Sequence, residues 1–311
     1  MSDSLRLRAN LLLLLGATIW GFAFVAQRTG MEYLEPFTFN AIRFFIGGLV
    51  LIPLIRFLDR QRTGHNLPVI TFQNRALLVG GLAVGVVLFA AAALQQIGLV
   101  YTTAGKAGFI TSLYVVIVPI LGLFIGQRTS PGTWTGAILA AIGLYFLTMQ
   151  GSLRMAWGDL LVLFGAVLWA VHMILLGRHS PRTDSVKLAF MQFMVCAGLS
   201  AIVALLTETV TLDAFRAGLA SIFYAGVLSV GVGYTLQVVG QRHARPAEAA
   251  IIMSLEAVFA VIGGWLLLGE LLTPRALIGC GLMLAGILVS QVAGQTEERV
   301  TNDEVRDMRY E

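Results

Sequence analysis

The stretch LFIGQRTSPGTWTG at 123–136 returns as LLLGELLTPRALIG at 266–279, a shift of 143 residues. Other stretches behave the same way. GATIWGF at 16–22 matches GAVLWAV at 165–171, with Trp20 opposite Trp169 at a shift of 149, and the same shift sets Arg43–Phe44 against Gln192–Phe193. Gln95 and Gly98 match Gln237 and Gly240 at a shift of 142, as do Ser112–Leu113 and Ser254–Leu255. Loops of different length account for the unequal shifts. Leu, Ala and Gly align readily by chance in apolar segments. The weight therefore rests on the paired tryptophans, on GATIW against GAVLW, and on the corner in which a Gly is followed by Ser-Pro or Thr-Pro. The chain reads as two copies of one unit.

Composition says where those copies reside. Apolar residues make up 57% of the 311 residues and charged residues 12%, against roughly 45–50% and about 25% in an average soluble domain. A water-soluble globule is excluded. The net charge of +4 is too small, and the chain too apolar, for a disordered or nucleic-acid-binding protein. Cys196 and Cys280 lie inside apolar runs, which argues against a disulfide framework.

A helix that crosses a bilayer needs about 20 mostly apolar residues. Ten such segments are expected, at 9–27, 36–55, 76–97, 103–125, 133–150, 158–177, 187–206, 217–239, 246–268 and 275–293. The expected fold is an all-α integral membrane protein. Five spans per unit is an odd number, so the second unit sits upside down relative to the first. This gives an N-terminal repeat over 1–150, an inverted C-terminal repeat over 151–296 and a loose, charged cytoplasmic tail over 297–311. The first span follows Arg6 and Arg8, as a signal peptide's would. It is too long for an h-region and lacks a small-x-small cleavage site, so it is read as a helix.

Basic residues set the orientation. With the N-terminus in the cytoplasm, twelve Lys and Arg residues between Arg6 and Arg245 fall on the cytoplasmic side. Only Arg28, Arg154, Arg216 and Arg275 fall on the far side. Both termini are then cytoplasmic, in what would be a bacterial inner membrane. Arg43 and Lys106 are left within it.

The pattern resembles the drug/metabolite transporter superfamily, specifically its EamA-type ten-helix exporters. The residues that carry the resemblance are the Trp-bearing first helices, Pro36–Phe37 to Arg43–Phe44, and LLLGELLTPRALIGCGLMLAGILV at 266–289. It extends over about 9–293 and is nearest to aromatic amino acid exporters of the YddG type. The resemblance implies export of small metabolites through a central cavity between the halves. One departure is Gln127, where the first repeat often carries Glu, as the second does at Glu270. A structural role for that corner carboxylate is not symmetric here.

Ionisable groups inside a bilayer cost at least about 2.5–3.5 kcal/mol each at a helix centre, so each needs a reason. Glu256 lies about ten residues into the ninth span, roughly 15 Å from either end at ~1.5 Å per residue. On an unbroken helix Glu248, Ile252 and Glu256 share one face. In one reading Glu256 takes up a proton or pairs with a substrate amine, with Glu248 and His172 as further coupling candidates. In the other it is hydrogen-bonded to a neighbouring helix and holds the fold. Lys106, aligned with Glu248, and Tyr114, aligned with Glu256, form the matching face of the fourth span, although Lys106 is near enough to the outer end to snorkel. Arg43 is long enough to reach the interface, and the resemblance assigns it a structural role. Asp159 reads as a helix cap.

Trp20 and Trp169 sit at mid-span, where they either line an aromatic-friendly cavity or simply pack. His172, three residues from Trp169, either titrates near neutral pH or packs through a hydrogen bond. Gln95 and Gln237 are repeat partners expected to hydrogen-bond across the pseudo-symmetry axis. Pro119 should kink the fourth span, with Gly263–Gly264 as its counterpart in the ninth. Gly81, Gly85, Gly132, Gly136, Gly279 and Gly286 allow close backbone approach. No phosphate loop, HExxH, paired CxxC or GxSxG occurs, so neither enzyme chemistry nor a cofactor is implied. A channel would need a lined polar path, whereas the polar residues here are isolated. The expected function is secondary transport of amino acids or similar metabolites, with the lipid bilayer and a small-molecule substrate as partners and no nucleic acid. A non-transporting scaffold or receptor is the alternative class, and it gains nothing from an inverted repeat.

Overall fold

The computed structural model describes residues 3–63, 74–102, 104–127, 129–148, 156–268 and 273–307, and among these no β-strand occurs. The helices are α1 (Asp3–Gly30), α2 (Pro36–Thr63), α3 (Arg75–Tyr101), α4 (Ala104–Ser112), α5 (Tyr114–Phe124), α6 (Pro131–Thr148), α7 (Trp157–His179) and α8 (Ser185–Thr207). They continue with α9 (Leu212–Ala217), α10 (Leu219–Phe223), a π-helical stretch (Tyr224–Tyr234), α11 (Thr235–Gly240), α12 (Pro246–Met253), α13 (Glu256–Leu268) and α14 (Pro274–Asp307). The sequence states where several of them begin. Asn74, Asp184 and Thr211 accept hydrogen bonds from backbone N–H groups in the first turns of α3, α8 and α9. The repeated Ser-Pro/Thr-Pro corner is the same device used twice. Ser130 Oγ accepts from Thr133 N at 3.0 Å and Thr273 Oγ1 from Ala276 N at 3.2 Å. In each case proline follows at the first helical position, where it has no N–H to waste.

Seven helical segments of the described chain are long and apolar enough to cross a membrane, and Pro274–Ser290 is a shorter apolar one. Over its described residues each expected span falls on one to three consecutive helical segments. The ninth is divided between α12 and α13, too short singly. The tail expected after Glu297 is helical as far as Asp307, as a continuation of α14. The expected positions of the kinks need correction. Pro119 lies within α5, but the interruption of the fourth span lies before it, at Leu113. The ninth span is interrupted at Ser254–Leu255 rather than at Gly263–Gly264.

The packing has a pairwise pattern. α6 packs on α14, and α2 on α8. The contact of α3 with α7 has a counterpart in that of α1 with the π stretch and α11. The contact of α3 with α8 is matched by that of α2 with the π stretch. α1 lies on α13 much as α7 lies on α4 and α5. Close approach uses the expected glycines. A Cβ on Gly136 would stand 2.5 Å from the carbonyl oxygen of Gly286, and one on Gly286 would stand 2.6 Å from that of Gly136.

At the end of the bundle that carries Arg6, which we call the inner end, three ion pairs tie distant segments together. Arg6 meets Glu248 at 3.3 Å, Arg62 meets Asp184 at 2.5 Å and Lys187 meets Asp59 at 2.8 Å. At the opposite end Glu208 accepts from Phe37 N and Thr38 N at 2.8 and 2.6 Å, fastening the end of α8 to the start of α2.

Candidate functional site

α1, α3, α4, α5, α7, the π stretch, α11 and α13 converge on a central cavity with about 430 Å³ of space between its atoms. Six residues expected at a cavity line it: Trp20, Gln95, Tyr114, Trp169, Gln237 and Glu256. So do Phe24, Gln27, Thr111, Met173, Ser229 and Tyr234, which were not anticipated.

Glu256 opens α13 just after the break, and only 3% of it is exposed. Its Oε1 accepts from Ser112 Oγ at 3.2 Å and from Tyr114 Oη at 3.1 Å. Both donors flank the matching break between α4 and α5. Both are neutral hydroxyls, and no basic side chain bonds to Glu256 among the described residues. Such a carboxylate can exchange a proton, or pair with a cationic group, without first breaking an ion pair.

The walls are aromatic. Tyr234 lies 4.4 Å from Trp20 and 5.9 Å from Trp169, centroid to centroid, and is stacked on the latter. Trp20 Nε1 donates to the carbonyl of Ser229 at 3.1 Å, inside the π stretch. There the wider i→i+5 winding alters backbone pairing, as π segments at functional sites often do. Trp169 Nε1 donates to Gln95 Oε1 at 2.8 Å, and Gln95 Nε2 donates to Gln27 Oε1 at 3.2 Å. Gln95 thus holds Trp169 in place. It does not reach Gln237, contrary to the expected bond across the axis. Gln237 also lines the cavity, and its Oε1 has no partner.

Three other candidates are placed elsewhere. Glu248 does not line the central cavity, because it lies two helical turns before Glu256, toward the inner end. It pairs with Arg6 and lines a separate inner-end cavity with Ser130, Thr133 and Arg245. His172 is fully buried behind Trp169, edge-on to it at 5.6 Å, with Nε2 2.8 Å from Gln192 Oε1. That is the packing arrangement. Arg43 does not reach the interface. It is 1% exposed, bonded to Asn40 Oδ1 at 2.9 Å, with its guanidinium 4.8 Å from the centre of the Phe44 ring. Asp159 is a cap, accepting from Ala156 N at 2.9 Å. The side chain of Lys106, and Glu270 entirely, lie outside the described residues.

One sequence signal could have found two of the missed residues. Trp20, Phe24 and Gln27 follow at i, i+4 and i+7, one face of α1. Thr111 precedes Tyr114, and Tyr234 precedes Gln237, by three residues, a weaker form of the same signal, and Ser229 carries none. No group of three His, Cys, Asp or Glu side chains among the described residues is placed to hold a metal ion.

Comparison with known proteins gives a consistent picture. The sequence profile of the EamA-like transporter family matches residues 7–149 and 156–291, one match for each half. A protein of Archaeoglobus fulgidus called an uncharacterized transporter is 31% identical over 91% of this chain and 86% of its own length. The uncharacterized inner membrane transporter YedA of Escherichia coli K12 is 24% identical over 87% of this chain and 86% of its own. A solved crystal structure shares the fold, with a TM-score of 0.76 over 93% of this chain and 98% of that one, at 20% identity.

Proposed function

The chain belongs to the EamA-like transporter family, and within that membership we propose that this membrane transporter is a secondary exporter of small metabolites working by alternating access. In this reading ten helices form two inverted halves, with both termini in the cytoplasm. The substrate sits in the central cavity among Trp20, Gln95, Tyr114, Trp169, Gln237 and Glu256. Amino acids with aromatic or apolar side chains, as exported by the YddG type, are the first class to test. Their amino group meets Glu256 and their side chain meets Trp20, Trp169 and Tyr234.

Two sets of observations support the halves. Several of the main inter-helix contacts of one half have a counterpart in the other, as with α3 on α7 against α1 on the π stretch and α11. Both interrupted spans break at repeat-matched residues, with Leu113 N bonded to Ile110 O and Leu255 N to Ile252 O, each at 3.2 Å. Interrupted helices at mid-membrane are where secondary transporters bind substrate. The observation that carries the functional reading is the buried carboxylate of Glu256, held only by hydroxyls at the meeting point of the two breaks.

The experiment is efflux of labelled amino acids from vesicles containing the purified protein, with and without a pH gradient. Efflux that follows the gradient supports coupled export. Efflux indifferent to it supports an uncoupled facilitator. Failure to move any substrate in a broad flux screen would support a scaffold or receptor.

A further inference from the structure

A groove separate from the central cavity runs over the outside of the bundle between α5 and α7. Its floor is apolar. Leu121, Phe124 and Ile125 form one side and Ile174 and Leu175 the other, and it ends against Pro246, the first residue of α12. Phe124 is 81% exposed. At the inner end of the groove stand Arg178 and Arg182, both exposed. Neither makes an ion pair among the described residues, whereas Arg6, Arg62 and Lys187 at the same end are each matched to a carboxylate. Among the described residues no acidic side chain lines the groove.

We propose that this groove binds one anionic phospholipid. Two guanidinium groups at the membrane–water interface, above an apolar floor at acyl-chain depth, match the two parts of such a molecule in order. Arginine is suited to the phosphodiester because its planar fork offers paired donors to phosphate oxygens. From Arg178 to Val171, which also lines the groove, the helix extends about 10 Å at ~1.5 Å per residue, a path for one chain. A soluble phosphate would leave the apolar floor uncovered, and a neutral lipid would leave the arginines unmatched. The site also touches the transport machinery. Pro246 begins the helix that leads to the break before Glu256, and it packs so closely on α7 that a Cβ at Gly177 would stand 2.6 Å from Pro246 Cγ. Lipid in the groove therefore bears on α12.

The test is native mass spectrometry of the full chain in detergent, with phosphatidylglycerol or phosphatidylcholine of identical acyl chains. One bound phosphatidylglycerol, preferred about 30-fold, is expected from two arginines near the surface. The preference should fall to near unity in R178Q/R182Q and survive in R178K/R182K. It should also survive in R56Q/R60Q, which removes two exposed arginines at the same end but off the groove. Millimolar inorganic phosphate should not displace the lipid, and I174W should block it by filling the floor. Equal binding of the two lipids by the wild type overturns the proposal. So does equal loss in R56Q/R60Q, which would mean diffuse surface attraction, or full displacement by phosphate, which would mean a free-anion site. Lipid binding is read without transport, so this result and the flux result stand or fall separately.

Discussion

Glu256→Gln tests the proposed coupling role of this carboxylate with the least disturbance of shape. The amide oxygen of Gln can still accept from Ser112 Oγ and Tyr114 Oη, now 3.2 and 3.1 Å from the carboxylate. Hydrogen bonds to a charged group contribute roughly 1.5–3 kcal/mol and neutral ones about 0.5–1.5, so the two weaken by roughly 2–3 kcal/mol together. Against that, the buried carboxylate carries a desolvation cost of several kcal/mol when ionised, which the amide does not. The two effects offset each other, and the expected change in stability is within about 1 kcal/mol, or a few degrees in Tm for a chain of this size. Transport should respond very differently. A gradient of one pH unit stores about 1.4 kcal/mol per proton, enough for about tenfold substrate accumulation at one proton per substrate. Proteoliposomes loaded with labelled substrate and given that gradient should approach tenfold with the wild type and stay at unity with Glu256→Gln. Near-tenfold accumulation by the variant would refute the assignment. Unity for both proteins would mean facilitated diffusion.

His172→Phe keeps the ring volume but leaves Gln192 Oε1 without its partner, so thermal unfolding should report a loss of about 1–3 kcal/mol. Its flux-versus-pH profile should stay unchanged, and a shifted profile would return His172 to the mechanism. Gly136→Val should cost about 1–3 kcal/mol or more by forcing α6 from α14. The control Gly281→Val, at a site where a Cβ meets nothing within 4 Å, should change stability by less than about 0.5 kcal/mol. For Asp184, burial pushes the carboxyl up, but the N–H of Lys187, the Arg62 guanidinium and the N–H of Val186 together hold it below the usual carboxylate range. A depressed native pKa gives stability that is complete above about pH 4 and is lost as pH falls through the lower native value. Asp184→Asn keeps a capping oxygen and loses the Arg62 ion pair, so it should cost about 1 kcal/mol or less at neutral pH and flatten the decline of Tm in acid.

The helices were legible because hydropathy over 20 residues is a strong signal and the Ser-Pro/Thr-Pro corners carry their own capping chemistry. The two breaks were not. Residues 112–114 and 254–256 contain neither Gly nor Pro, and the visible breakers, Pro119 and Gly263–Gly264, lie elsewhere. The repeat alignment did select Ser112–Leu113 and Ser254–Leu255, though as a match rather than as an interruption. Cavity residues with a repeat partner, such as Trp20 with Trp169 and Gln95 with Gln237, could be picked out. Tyr234 could not, because its importance comes from stacking against residues of two other helices. Glu248 was misplaced because its partner Arg6 is 242 residues away, a distance at which spacing says nothing.

Breaking a membrane helix twice is costly, since a backbone group left unpaired in hydrocarbon costs several kcal/mol. Such breaks persist where protein or a cavity receives the freed groups, and here short i→i−3 bonds at Leu113 and Leu255 recover part of the loss. Glu256 then stands at the N-terminus of α13, where the partial positive charge of the helix favours a carboxylate. Tyr114 stands at the equivalent start of α5 and donates its hydroxyl to that same carboxylate. The two halves thus present different groups at matched positions and share one hydrogen bond between them. Tyr114 and Ser112 share one oxygen of Glu256, so in the proposed mechanism a proton or an amine arriving at this carboxylate weakens bonds to residues on both sides of the α4–α5 break. If Glu256 served only to join the halves, a glutamine would accept from the same two hydroxyls at lower desolvation cost. In the proposed mechanism the ionisable group serves for what it can bind and release.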